Sequence, residues 1–519
     1  MSQLWPGCRK HRHRLCALLI LVSAIPLLWP VIPPLTDLPG HMGRYRVELD
    51  QLAGRSSPYY AFHWRLVGNL GVDLLIIPMA KVFGLELGVK LIVMAIPMLM
   101  VTGMLWLARE IHGHIPPTIL FALPLAYNRP FMFGFVNYGL AMALMLCALA
   151  LWLRLARLEH YRLRALVFLG IAPGLWLCHV YGWGCLCLMA GLAELVHQAQ
   201  RSRNIAATLR AAVIQCLVLT PPLLMMLLWR DEHGSGRVGG FFFWEGKLAW
   251  FREALRDQWP LFDIASVLVI VGIVGIATVS PWFRFSRKGL AITLGLAAAW
   301  LLLPYMLFGS AYADLRLSPY LILLTVVAID LSPRAKPALA RWIGLAGLLF
   351  FGVRTAATTV SFATIARAQN QALEALNAVP QGARLVSFVG YSCTQAWGGN
   401  RLDHLPALAF VRRHAFANDQ WDLPGAQLLQ SRYPVGDATV RYYHGDPSQM
   451  VMPAWCTDER WATPEQALAN LPRDAFDYVW LIEPPTFDQR QLHGMTKLWA
   501  NGPNVLYRID HVANRDVKL

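Results

Sequence analysis

The sequence carries too little charge to cover the surface of a soluble protein of its size. Only 15% of its 519 residues are Asp, Glu, Lys or Arg, whereas an ordinary soluble chain has about 25%. Hydrophobic residues make up 56% of the chain, and its mean hydropathy is +0.42. This composition excludes soluble enzymes, disordered chains and fibrous proteins. It predicts a polytopic membrane protein with an additional part attached.

Acidic residues are scarce even within this small charged fraction. There are 31 of them against 46 Lys and Arg, which gives a net charge of +15. Most of the basic excess lies in short clusters between apolar runs, the distribution by which positive charge orients helices in a bilayer. The charge therefore indicates membrane orientation, and we expect no nucleic-acid partner.

Eleven apolar runs are long enough to cross the hydrocarbon core, which requires about 17 to 25 residues each. They lie near 14–34, 88–108, 115–133, 135–153, 165–180, 182–198, 211–229, 262–282, 289–308, 316–332 and 340–358. No small-x-small cleavage site follows the first run, so an uncleaved signal anchor with a cytoplasmic N-terminus is favoured over a signal peptide. An odd number of spans then places the C-terminus outside.

A further apolar stretch, 66–84, is a poor span because it contains Asn69, Asp73, Pro78 and Lys81. If it crossed the bilayer, every basic cluster after it would face outside, against the positive-inside rule. We therefore expect an interfacial or re-entrant helix there.

The chain divides by composition into a transmembrane module, 1–359, and a tail, 360–519. The module has two outside loops, 35–87 with interfacial helices and 230–260 rich in aromatic residues. The tail has an ordinary globular composition, with helix patterns over 367–379 and 463–471 and strand patterns over 383–389, 478–482 and 504–508. Alternating strands and helices predict a soluble α/β domain, exported with the C-terminus.

Cysteine is present at nine positions, and no spacing among them suits a zinc site. Cys393 and Cys456 are the pair within the polar tail. In an oxidising compartment they are a disulfide candidate, and two unpaired thiols are the alternative.

Polar residues concentrate just beyond the first span. Asp37 follows a pair of prolines that fix the emerging chain, and His41, Arg44 and Arg46 come after it. Such an acid could serve chemistry at the membrane surface, or it could simply cap a helix that starts at Leu38.

Other candidates lie at further outside turns. Asp314 and Arg316 stand at the outer end of a span, where charges are costly unless they are used or paired. His179 falls at a tight turn, and Glu245 stands in the aromatic loop. Each of these residues could bind substrate or could be an ordinary packed or interfacial residue.

The tail has two more polar segments, whose role the sequence leaves open. They are Leu402-Asp403-His404-Leu405-Pro406 and Asn418-Asp419-Gln420-Trp421. Both are compatible with the lining of an active-site cavity and with plain domain surface.

This layout resembles the GT-C superfamily of membrane glycosyltransferases, which includes protein O-mannosyltransferases and bacterial aminoarabinose transferases. The matching features are Asp37 with the segment 40–44 after the first span, a loop helix over 69–84, and the turn 107–113 after the second span. The resemblance covers roughly 14–160 by pattern and the remainder by span count. The first loop has no Asp-x-Asp or Asp-Glu pair, so the sequence does not support the metal-dependent variants, and it gives no certain cofactor.

The resemblance implies transfer of a hexosyl or pentosyl group from a polyprenyl-phosphate donor to a glycan, lipid or protein acceptor on the outer face of a bacterial cytoplasmic membrane. Asp37 would be the general base, and inversion would follow from a single displacement. Arg44, Arg46, His41 and Arg316 are the candidates for the lipid phosphate.

Three other functions remain open from the sequence. A glycan ligase or polymerase would use a polyprenyl-diphosphate donor, with Arg and His in place of an Asp base. A lipid or solute transporter would show internal repeats, which this sequence lacks. A non-catalytic assembly factor would bind a cell-wall partner through its tail.

Overall fold

The computed structural model describes residues 9–230, 238–307, 310–393, 397–422, 427–456 and 461–511. Its α-helices in these ranges are α1 (Arg9–Val22), α2 (Leu38–Leu52), α3 (Gly71–Phe83), α4 (Leu85–His112), α5 (Arg129–Phe133), α6 (Val136–Arg157), α7 (Tyr161–Cys178), α8 (Val180–Ala199), α9 (Ile205–Cys216), α10 (Pro222–Arg230), α11 (Trp244–Arg252), α12 (Pro260–Val279), α13 (Arg287–Leu302), α14 (Ser318–Val327), α15 (Pro337–Leu373), α16 (Ala407–Arg413), α17 (Ala438–Arg441) and α18 (Pro464–Ala469). Its strands are β1 (Tyr60–Phe62), β2 (Phe283–Phe285), β3 (Ile329–Leu331), β4 (Leu385–Gly390), β5 (Leu429–Ser431), β6 (Met450–Val451), β7 (Tyr478–Ile482), β8 (Met495–Asn501) and β9 (Asn504–Ile509).

Six helices within the described residues are long and apolar enough to cross a membrane. They are α4, α6, α7, α8, α12 and the helix that begins at Pro337. A seventh span is possible if α9 and α10, which meet at a bend of 56°, cross together. The chain is therefore a multi-pass membrane protein by the length and composition of its helices. Six or seven of the eleven predicted spans meet this test within the described residues.

The shortfall comes from runs that are broken or short. The run predicted as a span over 115–133 is divided into two 3-10 helices, Pro117–Phe121 and Leu123–Tyr127, and the five-residue α5. Proline occupies an early position in each of these three pieces, and a helix cannot continue through it. Likewise, α13 has 16 residues and α14 has 10.

The stretch 66–84 forms α3, a helix of 13 residues. At 1.5 Å per residue such a helix rises about 20 Å, well short of the ~30 Å hydrocarbon core. Gly84, with φ +75°, separates it from α4. The length of α3 agrees with the expectation that this stretch does not cross the bilayer.

The chain separates into two compact units. Unit 1 consists of Met1–Trp29, Leu66–Leu75 and Lys90–Ser361, and unit 2 of Pro30–Arg65, Ile76–Val89 and Phe362–Leu519. Unit 2 thus combines much of the first predicted outside loop with the tail. The segments 1–8 and 231–237, which belong to the predicted cytoplasmic N-terminus and the second outside loop, lie outside the described residues.

Unit 2 contains a five-stranded mixed sheet in the order β6-β4-β7-β9-β8. The strands β6, β4 and β7 run parallel, and β9 and β8 continue the sheet antiparallel. The strand patterns over 383–389, 478–482 and 504–508 correspond to β4, β7 and β9, and Trp480 is fully buried at the centre. The tail therefore has the alternation of helix and strand that its sequence predicts.

A short two-stranded sheet in unit 2 joins the first-loop segment to the tail. Tyr60 of β1 pairs with Ser431 of β5, and Phe62 pairs with Leu429. The hydroxyl of Tyr60 also donates to the carbonyl oxygen of Ala417 at 2.5 Å. These bonds hold α2, which precedes β1, beside the polar segments of the tail.

Unit 1 buries several charges, and it does so in pairs. Arg354 lies 2.6 Å from Asp263, and Arg164 lies 2.9 Å from Glu194, with all four side chains almost inaccessible. A buried charge is tolerated when a partner and further hydrogen bonds compensate for lost hydration. The pairs therefore act as fixed links between helices.

Candidate functional site

Asp37 stands immediately before α2, in unit 2. Pro39 occupies the second position of the helix, where its fixed φ favours the first turn and its missing N–H costs nothing. The side chain of Asp37 makes no capping hydrogen bond to the helix amides. The capping role that the sequence left open is therefore not the one adopted.

Helical spacing places His41 and Arg44 on the same side of α2 as Asp37, whereas Arg46 projects from the opposite side. Arg44 is buried, and its guanidinium donates to Oε1 of Gln427 at 2.7 Å. Arg46 pairs with Asp50 at 3.6 Å, one turn further along the helix. Of the two arginines, Arg44 is thus the one that shares a face with Asp37.

His404 is the buried centre of a group of acids in unit 2. Its Nδ1 lies 3.0 Å from the carbonyl oxygen of Asp419, and its Nε2 lies 4.0 Å from Oδ1 of Asp446. Burial by itself lowers the pKa of this imidazole, but the carboxylates of Asp403, Asp446, Asp37 and Asp419 outweigh it and raise the pKa to about 9. Asp37 therefore lies close enough for its charge to act on His404.

Asp419 is fully buried beside His404. Its Oδ2 accepts from the backbone N–H of Ala407 at 2.8 Å, at the start of α16. Burial raises the pKa of this carboxyl to about 7, although the charge of His404 opposes the shift. The pair of Asp419 and His404 can consequently hold or release a proton near neutral pH.

Trp421 places an indole ring between two imidazoles. Its ring centroid lies 4.2 Å from that of His404 and 5.0 Å from that of His41. Burial, followed by the charges of Arg44 and His404, lowers the pKa of His41 well below 6.5. His41 is therefore neutral at physiological pH, able to donate or accept one hydrogen bond, while the aromatic face beside it suits a sugar ring.

Unit 1 holds a second group of predicted residues. The guanidinium of Arg316 lies 4.8 Å from the ring of Phe135 and 5.5 Å from that of Tyr181, and it donates to Oγ of Ser310 at 3.0 Å. The ring of His179 lies 5.6 Å from that of Tyr181. The structure thus brings Arg316 and His179, which are far apart in sequence, into one cationic and aromatic cluster.

Asp314, also in unit 1, makes its contacts with α11. It is completely buried, and its Oδ2 lies 3.5 Å from Nζ of Lys247. The indole N–H of Trp250 donates to its Oδ1 at 3.2 Å. These contacts direct the Asp314 side chain to α11, which carries both Lys247 and Trp250. A role of Asp314 in substrate binding stays a prediction.

Glu245 stands in the first turn of α11 and is exposed. Within the part of the chain that the structure describes, no ion pair or hydrogen bond engages its side chain. Its role in sugar binding stays a prediction.

The tail residues that surround His404 were not assigned from sequence. Asp403, His404 and Trp421 lie in the two polar segments whose role was open, and their density of polar groups was the available signal. Asp446 and Gln449 were missed, since the turn that carries them has no local pattern beyond Gly445 and Pro447.

Cys393 and Cys456 are bonded in the structure, with an S–S distance of 2.05 Å and a Cα–Cα distance of 5.9 Å. The bond closes a sequence separation of 63 residues within unit 2. It links the chain after β4 to the chain after β6.

Comparison with known proteins gives a structural likeness and no match by sequence. No protein-family model and no curated protein sequence matches the chain. Its structure is similar to the crystal structure of ArnT from Cupriavidus metallidurans bound to undecaprenyl phosphate, with 13% sequence identity and a TM-score of 0.47, covering 98% of this chain and 99% of that one.

Proposed function

We propose that this protein is an integral membrane glycosyltransferase that transfers a sugar from a polyprenyl-phosphate donor to an acceptor on the outer face of a bacterial cytoplasmic membrane. The observation that carries the proposal is the convergence of Asp37 with His404, His41 and Trp421 in unit 2. A carboxylate can act as the base for an acceptor hydroxyl, an imidazole can donate a hydrogen bond to developing charge, and an aromatic ring can pack against a sugar.

Asp37 is proposed as the general base. An acceptor hydroxyl hydrogen-bonded to its carboxylate would lose its proton as the new bond from the acceptor oxygen to the anomeric carbon forms. The bond from that carbon to the phosphate oxygen breaks in the same step, and polyprenyl phosphate leaves with the bonding electrons. Attack opposite to the leaving group inverts the anomeric centre.

The leaving phosphate carries the charge that the site must stabilise. Cations and hydrogen-bond donors that are already positioned lower the barrier, because they need no rearrangement as charge develops. Arg44 and His41 share the Asp37 face of α2, and we assign them to the substrate. In unit 1 the cluster of Arg316 and His179 holds a guanidinium of the type that binds phosphate, and its role in lipid binding stays a prediction.

The experiment is a transfer assay on membranes that contain the protein, with labelled polyprenyl-phosphate sugars as donors and Asp37→Asn as the variant. The matched control is Asp437→Asn, which also changes an aspartate at a helix N-terminus of unit 2, where Asp437 accepts from the backbone N–H of Thr439. The proposal requires that transfer disappear with Asp37→Asn and persist with Asp437→Asn. Equal transfer by both variants would contradict it, and transfer from polyprenyl-diphosphate donors alone would favour the ligase or polymerase instead.

A further inference from the structure

Three ligand-bearing side chains converge in unit 2 from two separate loops. Asp403 and His404 precede α16, and Asp446 precedes β6. Each offers one ligand atom, and these atoms all lie within 4.8 Å of one another. Two carboxylates and an imidazole at this spacing form a donor set that divalent cations accept.

His404 is oriented as a metal-binding histidine. A carbonyl oxygen can only accept, so the contact between Nδ1 and the backbone oxygen of Asp419 at 3.0 Å places the Nδ1 proton in that bond. This arrangement directs Nε2 towards Asp446, 4.0 Å away. Metal-bound imidazoles commonly donate their other ring N–H to a carbonyl in this manner, which fixes both the tautomer and the ring orientation.

Gln449 is a fourth polar side chain at this cluster. Its side chain is completely buried, and its Oε1 has no hydrogen-bond partner among the described residues. A buried carbonyl oxygen without a partner costs free energy that a folded protein normally avoids. The amide lies directly against the cluster, with Nε2 at 3.1 Å from Oδ1 of Asp403 and 2.9 Å from Oδ1 of Asp446.

A half-turn of this amide exchanges its nitrogen and oxygen with almost no change in shape. It would bring Oε1 to about the same distances from the two carboxylates. Adjacent ligands of an octahedral ion at 2.0–2.1 Å are separated by about 3 Å, which matches this spacing. A bound cation would therefore give the unpaired oxygen a partner, and it would offset the repulsion between the two neighbouring carboxylates.

We propose that Asp403, His404, Asp446 and Gln449 form a binding site for one divalent cation. Three oxygen ligands and one imidazole favour Mn²⁺ or Zn²⁺ over Ca²⁺, which prefers oxygen ligands alone. Four protein ligands leave coordination positions for water or a phosphate oxygen. The tail thus supplies a cation site that the first loop, lacking an Asp-x-Asp pair, does not.

The cation site has a place in the proposed reaction. Asp37 acts electrostatically on the same imidazole, so a cation here would lie near the proposed general base. That role in catalysis rests on the proposed glycosyl transfer, whereas the binding of the cation is independent of it.

The test uses the full-length protein in detergent, freed of metal with a chelator and titrated with Mn²⁺ alone, without any donor. Electron paramagnetic resonance counts free Mn²⁺, and its pulsed form detects nitrogen coupling from a coordinated imidazole. We expect one Mn²⁺ per chain with nitrogen coupling, loss of that coupling in His404→Gln, and at least ~10-fold weaker binding in Asp446→Asn. A competition titration with a zinc indicator repeats the measurement for Zn²⁺.

Two further variants keep the test decisive. Asp422→Asn alters an acid of unit 2 that pairs with His444 outside the cluster, and it should bind Mn²⁺ as the unmodified protein does. Gln449→Glu adds a carboxylate, so it should tighten binding if residue 449 is a ligand.

Failure of both Mn²⁺ and Zn²⁺ to bind, or unchanged binding in both His404→Gln and Asp446→Asn, would overturn the site. If transfer still depended on Asp37 in that case, the glycosyltransferase would stand without the cation. Binding without transfer by any donor would leave the cation site and remove the proposed function.

Discussion

The indole ring of Trp421 packs directly on the Cα of Gly40. A Cβ at position 40 would lie 2.7 Å from Cζ3 and 2.8 Å from Cη2 of that ring, a separation that side chains do not adopt. Glycine is therefore required at this point, because the first turn of α2 approaches the tail too closely for any larger residue. The contact holds the helix that begins beside Asp37 against the residues around His404.

Gly40→Ala should consequently displace Trp421 or the start of α2. Overpacking of this kind costs about 1–3 kcal/mol, so we expect a lower melting temperature and a loss of sugar transfer greater than the loss of stability explains. Gly191→Ala is the control, since a Cβ at position 191 in α8 meets no atom within 4 Å. Full transfer by Gly40→Ala would show that this contact does not position the site.

The charges around His404 predict that stability depends on pH in protein freed of divalent cations. The pKa of this histidine rises from 6.5 to about 9, so its favourable interactions are complete below pH 6.5 and are lost as the pH rises through 9. The facing groups are Asp403, Asp446, Asp37 and Asp419, and His41 opposes them. The melting temperature of the unmodified protein should therefore exceed that of His404→Gln most at low pH and approach it above pH 9.

Asp419 adds a change in the same direction over a lower range. Its folded pKa of about 7 exceeds the ordinary 3.8, so its contribution is complete at acid pH and declines as the pH rises to 7. A thermal melting series from pH 5 to 10, with Asp419→Asn as a second variant, separates the two groups. A difference between the unmodified protein and His404→Gln that grows with pH would contradict the assignment.

Breaking the buried pair between Arg354 and Asp263 should destabilise unit 1 strongly. Arg354→Met leaves a carboxylate with almost no exposure without its cation, and removing one partner of a buried pair costs about 3–5 kcal/mol. The exposed pair of Arg201 and Glu159 provides the comparison, because surface pairs contribute only about 0–1 kcal/mol. Thermal melting in detergent should show a large loss for Arg354→Met and almost none for Arg201→Met.

The disulfide tests where the tail is located. If the tail is exported, Cys393 and Cys456 should resist a membrane-impermeant maleimide in intact cells until a reductant is added. Closing a loop of this length stabilises a domain by about 4 kcal/mol in the chain-entropy description, so the double Cys→Ser variant should unfold at lower temperature. Absence of labelling even after the reductant is added would contradict export of the tail, and labelling of both cysteines without reductant would contradict the disulfide.

Local patterns predicted much of the molecule, because hydrophobic periodicity and turn residues act over short distances. The strand over 478–482 has the bounds of β7, and α3 is too short to span, as its polar residues indicated. The run 115–133 does not form one spanning helix, because prolines divide it into short pieces that a count of apolar residues does not reveal.

The candidate site was harder to predict, because it depends on contacts between distant segments. Asp37 was identified by its position after the first span, but the pairing of β1 with β5 that brings it to the tail has no local signature. Asp446 and Gln449 are about 40 residues from His404 in sequence and meet it only in the folded tail. The contact of Asp314 with Lys247 likewise joins residues that are distant in sequence.

The most direct measurement of the central claim is sugar transfer from labelled polyprenyl-phosphate donors by Asp37→Asn and Asp437→Asn in parallel, with both variants shown to fold by thermal melting. The account predicts no detectable transfer by Asp37→Asn and undiminished transfer by Asp437→Asn. Undiminished transfer by Asp37→Asn would contradict it, because an isosteric amide cannot accept the proton that the reaction must remove.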